Sequence, residues 1–350
     1  MSIVNRPISI RAWRCLPILV GAVLILVHPL TAAGAEIGGK PEKGEVTIAY
    51  VSPSAAFTPL FVAAEAGLFA KYGLKVKLQF LNTAVAINGL LADEVDFCAD
   101  GPAFITPRLG GAPVKYSGAY MQRYVFQIWG AKDITKIEQL KGKVVAVQIP
   151  RGAIDIATRE TLKKYGLIPD SDVKFTYVQQ GTPAILSSVV TGNASAGTLS
   201  APITLEAQRA GLNLLVDIAE LNILGLQGAY GTTEKFLSNN PNTIYAFSKA
   251  MAEGVVLARK DSVAAKRAIG NYLKIDDPKI LDASYGGYAP YWEMNLAVRD
   301  PVIRAELNYL DARKFPQAKD ANPKEFFDNS FVDSLEKSGF FASIGWSKQK

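Results

Sequence analysis

The chain has 350 residues, of which 49% are hydrophobic, and a formal net charge of +6. This length and balance are ordinary for a soluble protein with one large domain or two medium ones. Three of the arginines lie in the first 35 residues, and the +3 that remains without them is too small an excess to indicate nucleic-acid binding.

The N-terminal segment has the layout of a secretory signal peptide. Arg6, Arg11 and Arg14 precede an apolar run over 16–30, and the small residues Ala33-Gly34-Ala35 follow it. A membrane anchor is the alternative, but the apolar run is shorter than the roughly 20 residues that a span requires. The sequence therefore predicts that residues 1–35 are cleaved and that the protein is exported.

Cleavage would leave a chain with no histidine and with Cys98 as its one cysteine. Such a chain cannot form an intrachain disulfide, a Ser-His-Asp or Cys-His catalytic arrangement, or a histidine-based metal site. We therefore expect no catalytic residue, no cofactor and no metal.

Strands and helices are predicted to alternate through the first 230 residues. Short apolar runs rich in β-branched residues indicate strands, and amphipathic stretches that end at glycine indicate helices. The strands are expected at 46–51, 74–81, 95–99, 114–119, 125–129, 143–149, 173–178, 194–199 and 214–218, and the helices at 59–72, 83–92, 155–165 and 183–191. Beyond Thr233 the chain is predicted to be mainly helical, with helices at 239–260, 262–273 and 277–289 that pack back on the first lobe.

The pattern contains a weak repeat of about a hundred residues. Phe69-Ala-Lys-Tyr-Gly-Leu74 is echoed by Leu162-Lys-Lys-Tyr-Gly-Leu167 at the same point of the strand–helix order. The sequence therefore predicts an α/β protein with two pseudo-symmetric lobes, each a mostly parallel sheet with helices on both faces.

Loops at the predicted carboxyl ends of the strands are the candidate ligand site, because open parallel sheets bind ligands there. Several of these loops are small or hydroxyl-bearing and lead into helices, whose free N–H groups favour anions. Each residue taken alone is also an ordinary turn or cap residue. The candidates from these loops are Ser54, Thr83, Gly101, Gly152, Ala153 and Ser200.

Two arginines are candidates for holding an oxyanion through a two-pronged contact. Arg151 lies between a predicted strand and a predicted helix, and Arg123 lies near the first crossover between the lobes. An exposed surface arginine is the alternative for each. If Arg151 holds the ligand, its replacement by alanine is expected to weaken binding more than about tenfold.

The remaining candidates are aromatic residues and one glutamine. Phe57 is expected either to pack on an apolar part of the ligand or to belong to the core. Gln227 and Tyr230 lie at the second predicted crossover, where they either line the cleft or shape the hinge. The run Tyr285, Tyr288, Tyr291 and Trp292 has near-helical spacing, which favours a core role.

The segment Pro59-Leu-Phe-Val-Ala-Ala-Glu-Ala-Gly-Leu-Phe-Ala-Lys-Tyr-Gly-Leu74 resembles the opening helix of a known family, the solute-binding proteins of ABC transporters of the nitrate, sulfonate and taurine type. This family also includes proteins that bind thiamine-pyrimidine precursors. Later landmarks follow in the family's order, at 90–97, 110–114, 140–143 and 198–202. The resemblance covers about 46–273.

The resemblance implies a type II periplasmic binding protein fold, with two doubly wound lobes, two crossover strands and a ligand enclosed between the lobes. The family pattern assigns 46–128 plus 230–350 to lobe 1 and 129–229 to lobe 2. It implies a monomer in the periplasm that binds a small molecule, meets the membrane only through an ABC permease and does not bind nucleic acid.

The predicted function is capture of a small, anionic organic solute, a sulfonate, carboxylate or heterocycle, for delivery to an ABC importer. The loop Ile149-Pro-Arg-Gly-Ala153 departs from the Gly/Ser-rich loop of many relatives, so the resemblance does not single out sulfonate or nitrate. One alternative is an enzyme that resembles the thiamine-pyrimidine synthase branch of this fold, which uses a histidine and a cysteine cluster. The other alternative is a ligand-sensing module.

Overall fold

The computed structural model describes Ser2 and residues 37–346, so the predicted signal peptide lies outside the described range. Residues 37–346 form two α/β lobes, each built on a five-stranded sheet. The strands are β1 (Glu45–Tyr50), β2 (Lys75–Phe80), β3 (Phe97–Ala99), β4 (Val114–Arg123), β5 (Gln127–Gly130), β6 (Val144–Val147), β7 (Lys174–Tyr177), β8 (Ala196–Leu199), β9 (Asn213–Asp217) and β10 (Leu224–Thr233).

The two sheets have the same plan. The first has the order β2-β1-β3-β10-β4 and the second has the order β7-β6-β8-β5-β9. In each sheet the first three strands are parallel, the fourth is antiparallel to both of its neighbours, and the fifth therefore runs with the first three. The internal repeat read from the sequence is thus present in the topology, and both sheets are mostly parallel as predicted.

The helices cover the sheets and form the C-terminal part of the chain. They are α1 (Thr58–Glu65), α2 (Leu68–Lys71), α3 (Thr83–Leu91), α4 (Ile105–Leu109), α5 (Ala153–Lys164), α6 (Thr182–Val190), α7 (Ile203–Arg209), α8 (Glu234–Asn239), α9 (Pro241–Lys260), α10 (Ser262–Leu273), α11 (Pro278–Tyr288), α12 (Asp300–Asn308), α13 (Ser330–Lys337) and α14 (Phe340–Ser343). None of the helices in the described range combines the length and the apolar character needed to cross a bilayer.

Local backbone chemistry explains where the helices differ from the prediction. The stretch 59–72 was expected to be one helix, but Gly67 adopts the left-handed conformation, φ 69°, and separates α1 from α2. Asn82 caps α3, because its side-chain oxygen accepts a hydrogen bond from the amide of Val85 at 3.0 Å.

Each lobe has its own apolar core. In the first lobe Phe97 of β3 stacks on Phe247 of α9 with ring centroids 3.8 Å apart, and Phe61 of α1 stacks on Tyr272 of α10 at 4.6 Å. The C-terminal helices therefore pack on the first lobe, as the sequence predicted. The second core lies around fully buried Val145 of β6 and Leu199 of β8.

The chain passes between the sheets twice, at 124–126 and at 218–223. Residues 127 and 128 belong to β5 of the second sheet, and residues 224–229 belong to β10 of the first sheet. Sheet membership therefore places both crossovers a few residues before the lobe limits expected from the family pattern.

Candidate functional site

A cavity of about 290 Å³ lies where the second sheet faces α11 of the first lobe. It is lined from the second lobe and the crossover by Val125, Phe126, Gln127, Leu199, Ser200, Ala201, Thr204, Asp217 and Ala219, and from the first lobe by Ala283, Gly286, Gly287, Tyr288 and Tyr291. Both lobes therefore contribute walls, which is the position predicted for a ligand.

The sheet register explains why polar groups meet at this wall. Gln127, the first residue of β5, pairs with Leu199 on one side and with Asp217 on the other. Because β5 runs antiparallel to both neighbours, its start lies at the carboxyl ends of β8 and β9. Open sheets bind ligands at this edge, outside the carboxyl ends of their strands.

Hydrogen bonds hold the Asp217 carboxylate in place. Its Oδ2 accepts from Gln127 Nε2 at 2.9 Å, and its Oδ1 accepts from the backbone amide of Ala219 at 3.0 Å. Gln127 is itself oriented, because its Oε1 accepts a hydrogen bond from Trp129 Nε1 at 3.1 Å. This side-chain network places a fixed carboxylate on the cavity wall.

The opposite wall is formed by α11, which brings Tyr288 between the two lobes. The Tyr288 hydroxyl is 3.4 Å from Ser54 Oγ in the first lobe, and Ser200 of the second lobe is near enough to affect its pKa. Burial raises the pKa of Tyr288, and these two hydroxyl contacts oppose that shift. Ser54 and Ser200, predicted from loops of different lobes, thus both lie near the hydroxyl of one tyrosine.

Close packing of the lobes depends on Gly287. A Cβ atom at this position would lie 2.8 Å from the Cβ atom of Ala201. Any side chain larger than hydrogen would therefore force α11 and the loop after β8 apart.

Tyr291 extends the cavity wall beyond α11 and lies near charged groups. The guanidinium carbon of Arg123 is 5.9 Å from the Tyr291 ring centroid. Burial and then Asp217 raise the pKa of Tyr291, whereas Arg123 lowers it. Arg123 is therefore close to the wall, but it is not one of the residues that line the cavity.

The other residues predicted on the first lobe are engaged within that lobe. Phe57 is buried and lies 6.1 Å from the Tyr50 ring, so it belongs to the core. Thr83 Oγ1 donates to Asp100 Oδ2 at 2.7 Å. Burial raises the pKa of Asp100 to about 6, while the Thr83 contact lowers it. A Cβ at Gly101 would meet the carbonyl oxygen of Leu226 at 1.9 Å, so this glycine serves backbone packing.

Arg151 contacts the other lobe but does not line the cavity. Its guanidinium carbon lies 4.8 Å from the ring centroid of Phe315, and its backbone amide donates to Asp155 Oδ2 at 2.7 Å. Gly152 and Ala153 follow it at the start of α5, and neither lines the cavity. The structure therefore places Arg151 in a cation–π contact between the lobes.

Gln227 of β10 bonds to the first crossover. Gln227 Oε1 accepts a hydrogen bond from the amide of Val125, and its Nε2 donates to the Val125 carbonyl at 3.2 Å. This pair of bonds ties β10 of the first sheet to the first crossover. Tyr230 lies in the first core, 5.1 Å from the Phe247 ring, rather than in the cavity.

A buried carboxyl group also joins the first crossover to β10. Glu306 of α12 is 1% exposed, and its Oε1 accepts from the Tyr124 hydroxyl and from the Leu226 amide, each at 2.7 Å. Its Oε2 has no hydrogen-bond partner among the described residues. Burial raises the pKa of Glu306 to about 7, and the two donors oppose this rise.

A second cavity, of about 180 Å³, lies in the first lobe. Its lining residues include two salt bridges, Lys43–Asp96 at 2.7 Å and Lys235–Asp93 at 2.5 Å. Asp96 immediately precedes β3, so this cavity lies at the amino ends of the parallel strands. Within the described range, no group of three or more His, Cys, Asp or Glu residues could hold a metal ion.

Sequence reasoning missed five polar residues of the cavity, namely Gln127, Thr204, Asp217, Tyr288 and Tyr291. Asp217 ends β9, so the strand-end rule would have found it if it had been applied one strand further. Gln127 could have been predicted as a site residue only if β5 were known to run antiparallel to its neighbours. The two tyrosines belong to the aromatic run that was assigned to the core. Tyr288 is fully buried and Trp292 is a core residue, yet Tyr288 and Tyr291 also line the cavity.

The fold is shared with solved solute-binding proteins. The periplasmic aliphatic sulphonate binding protein SsuA from Escherichia coli superposes with a TM-score of 0.67 at 18% identity, covering 82% of this chain and 92% of its own. The periplasmic nitrate-binding protein NrtA from Synechocystis PCC 6803 gives 0.66 at 15% identity, covering 88% and 92%. The alkanesulfonate-binding protein SsuA from Xanthomonas axonopodis pv. citri, bound to MOPS, gives 0.63 at 16%, covering 84% and 98%.

These likenesses confirm the predicted periplasmic binding protein fold. No curated protein matches the chain in sequence. The family model described as NMT1/THI5 like matches residues 54–265, which is more than half of the chain. The family resemblance read from the sequence is thereby confirmed, and the chain belongs to the NMT1/THI5-like family.

Proposed function

We propose that this protein binds a small solute between its two lobes and delivers it to an ABC importer. The cavity at the carboxyl ends of β8 and β9, which α11 closes from the first lobe, is the main support for this function. Its volume of about 290 Å³ corresponds to roughly ten waters at about 30 Å³ each, which suits a small molecule. The binding proteins with the same fold support this role.

Capture would proceed by hinge closure. The two crossovers connect the lobes, and Gln227 and Glu306 bond the first crossover to β10, the strand that follows the second crossover. A ligand that contacts both lobes stabilises the closed arrangement in proportion to its preference for that arrangement. Closure would directly affect the surroundings of the Tyr288 hydroxyl, which lies near Ser54 of one lobe and Ser200 of the other.

We also propose that the mature protein acts in the periplasm as a monomer and meets the membrane through the permease. The predicted signal peptide over 1–35 and the periplasmic location of the SsuA and NrtA proteins support this location.

An enzymatic role has little support in the chemistry of the described residues. Cys98 is fully buried, and burial together with Asp100 raises the pKa of its thiol, which disfavours a reactive thiolate. The cavity residues are hydroxyl, amide and carboxylate groups that can hold a ligand by hydrogen bonds without reacting with it.

A thermal-shift screen tests the proposed function. The panel contains nitrate, sulfonates, taurine, carboxylates, aromatic acids, pyrimidines and amines, because a ligand that binds only the folded state raises its melting temperature. At least one class is expected to raise it, and Thr204→Trp, which fills the cavity from α7, is expected to abolish that shift. The matched control is Val263→Trp at a position that is 69% exposed. A shift that persists in Thr204→Trp, or no shift with any class, would argue against binding in this cavity.

A further inference from the structure

The cavity wall carries one carboxylate, and its described lining residues include neither lysine nor arginine. This composition differs from the anion site expected from the sequence. Of the two arginines that were candidates for an oxyanion, Arg151 lies over Phe315 and Arg123 approaches Tyr291 from outside the lining.

The Asp217 carboxylate keeps acceptor capacity for a ligand. A carboxylate offers about four lone-pair positions. Gln127 Nε2 and the Ala219 amide occupy one position on each oxygen, at 2.9 and 3.0 Å. The remaining positions belong to a group whose orientation is already fixed, so a ligand donor would meet a pre-organised acceptor.

Asp217 is the one charged residue among the described residues that line the cavity, so the lining carries a net negative charge. Asp217 raises the pKa of Tyr291, and Glu220 acts in the same direction, while Arg123 alone opposes them among the charges that affect this hydroxyl. An anionic headgroup in a closed cavity would be repelled by Asp217, and closure would strengthen that repulsion by excluding water.

We infer that the solute carries a cationic nitrogen headgroup, such as an ammonium or amidinium, that donates hydrogen bonds to Asp217. The hydroxyls of Ser200 and Thr204 line the same cavity and provide further acceptors. This inference rests on the proposed function, because it names the chemical class of the solute that the same cavity takes.

Three isosteric probes test the sign of the headgroup charge: benzamidine, benzamide and benzoate. Their binding to the protein produced from the full chain is measured by isothermal titration calorimetry. Benzamidine is expected to bind at least about tenfold more tightly than benzoate, with benzamide in between. In Asp217→Asn the affinity for benzamidine is expected to fall at least about tenfold, while that for benzamide changes by less than about threefold. Asp333→Asn, at an exposed position of α13, removes the same charge elsewhere and is the control.

Equal affinities, tighter binding of benzoate, or failure of benzamidine to bind would overturn the inference. If Asp217→Asn does not fold, the rank order of the three probes on the unmodified protein decides the question. Tight binding of benzoate that Thr204→Trp abolishes would refute the cationic headgroup but would leave the proposed function standing.

Discussion

Glu306 should make the stability of this protein fall as the pH rises from 4.5 to about 7. Burial raises its pKa from 4.5 to about 7, so the folded state holds a proton that the unfolded state has already lost. Stability from this group is therefore greatest below pH 4.5, declines between pH 4.5 and about 7, and then stays low. The difference amounts to roughly 3 kcal/mol, since each pKa unit corresponds to about 1.36 kcal/mol.

Glu306→Gln isolates this effect, because glutamine retains an oxygen that can accept from Tyr124 and Leu226 but cannot ionise. The amide nitrogen replaces Oε2, which has no hydrogen-bond partner among the described residues, and leaving it unpaired costs about 1–3 kcal/mol at every pH. Relative to the unmodified protein, the variant is expected to gain roughly 3 kcal/mol between pH 4.5 and pH 8.

Urea unfolding followed by tryptophan fluorescence at intervals from pH 4.5 to 8 measures this difference. Burial also raises the pKa of Asp100 to about 6, so the stability that this group contributes falls as the pH rises from 3.8 to about 6. The same fall occurs in both proteins and therefore cancels from the difference between them. Glu325→Gln removes an exposed carboxylate and is the control. Stability curves for Glu306→Gln and the unmodified protein that run parallel over this pH range would mean that folding does not raise the pKa of Glu306.

Three further substitutions test the contacts around the cleft. Gly287→Leu should weaken the binding of the solute from the thermal-shift panel more than about tenfold, because even its Cβ would lie 2.8 Å from Ala201; an unchanged dissociation constant by calorimetry would contradict this contact. Arg151→Ala should weaken binding only about two- to fivefold, the equivalent of losing an exposed cation–π contact with Phe315; a loss greater than tenfold would instead return Arg151 to the ligand site. Gln227→Ala should lower the free energy of unfolding by about 1–3 kcal/mol, because it leaves the Val125 amide and carbonyl of the crossover unpaired. Chemical denaturation that shows no such loss would mean that Gln227 does not stabilise the crossover.

The alternation of strands and helices was readable from the sequence because local chemistry sets it. Runs such as Val46–Val51 are apolar and β-branched, and the repeated Lys-Tyr-Gly-Leu segments end equivalent helices. The pairing of β10 into the first sheet and of β5 into the second was not readable, since periodicity carries no information on which sheet a crossover strand joins.

The candidate site was only partly predictable for a related reason. Ser54 and Ser200 follow parallel strands, so the strand-end rule identified them, and both lie near the Tyr288 hydroxyl in the structure. Arg151 satisfied the same rule, but the distant Phe315 lies under its guanidinium. Asp217 acquires its place on the cavity wall through Gln127, a neighbour that only the antiparallel register supplies.

A solute that binds in the cavity should close the two lobes over it, and a distance measured across the cleft would show this closure. Phe80 and Tyr177 end the edge strands β2 and β7 and are 56% and 39% exposed, so cysteines at these positions can carry spin labels. Cys15 is replaced by serine in this variant, and Cys98 is buried. Double electron–electron resonance should show a shorter and narrower distance distribution when the solute from the thermal-shift panel saturates the protein. An unchanged distribution at full saturation would mean that the solute does not close the lobes.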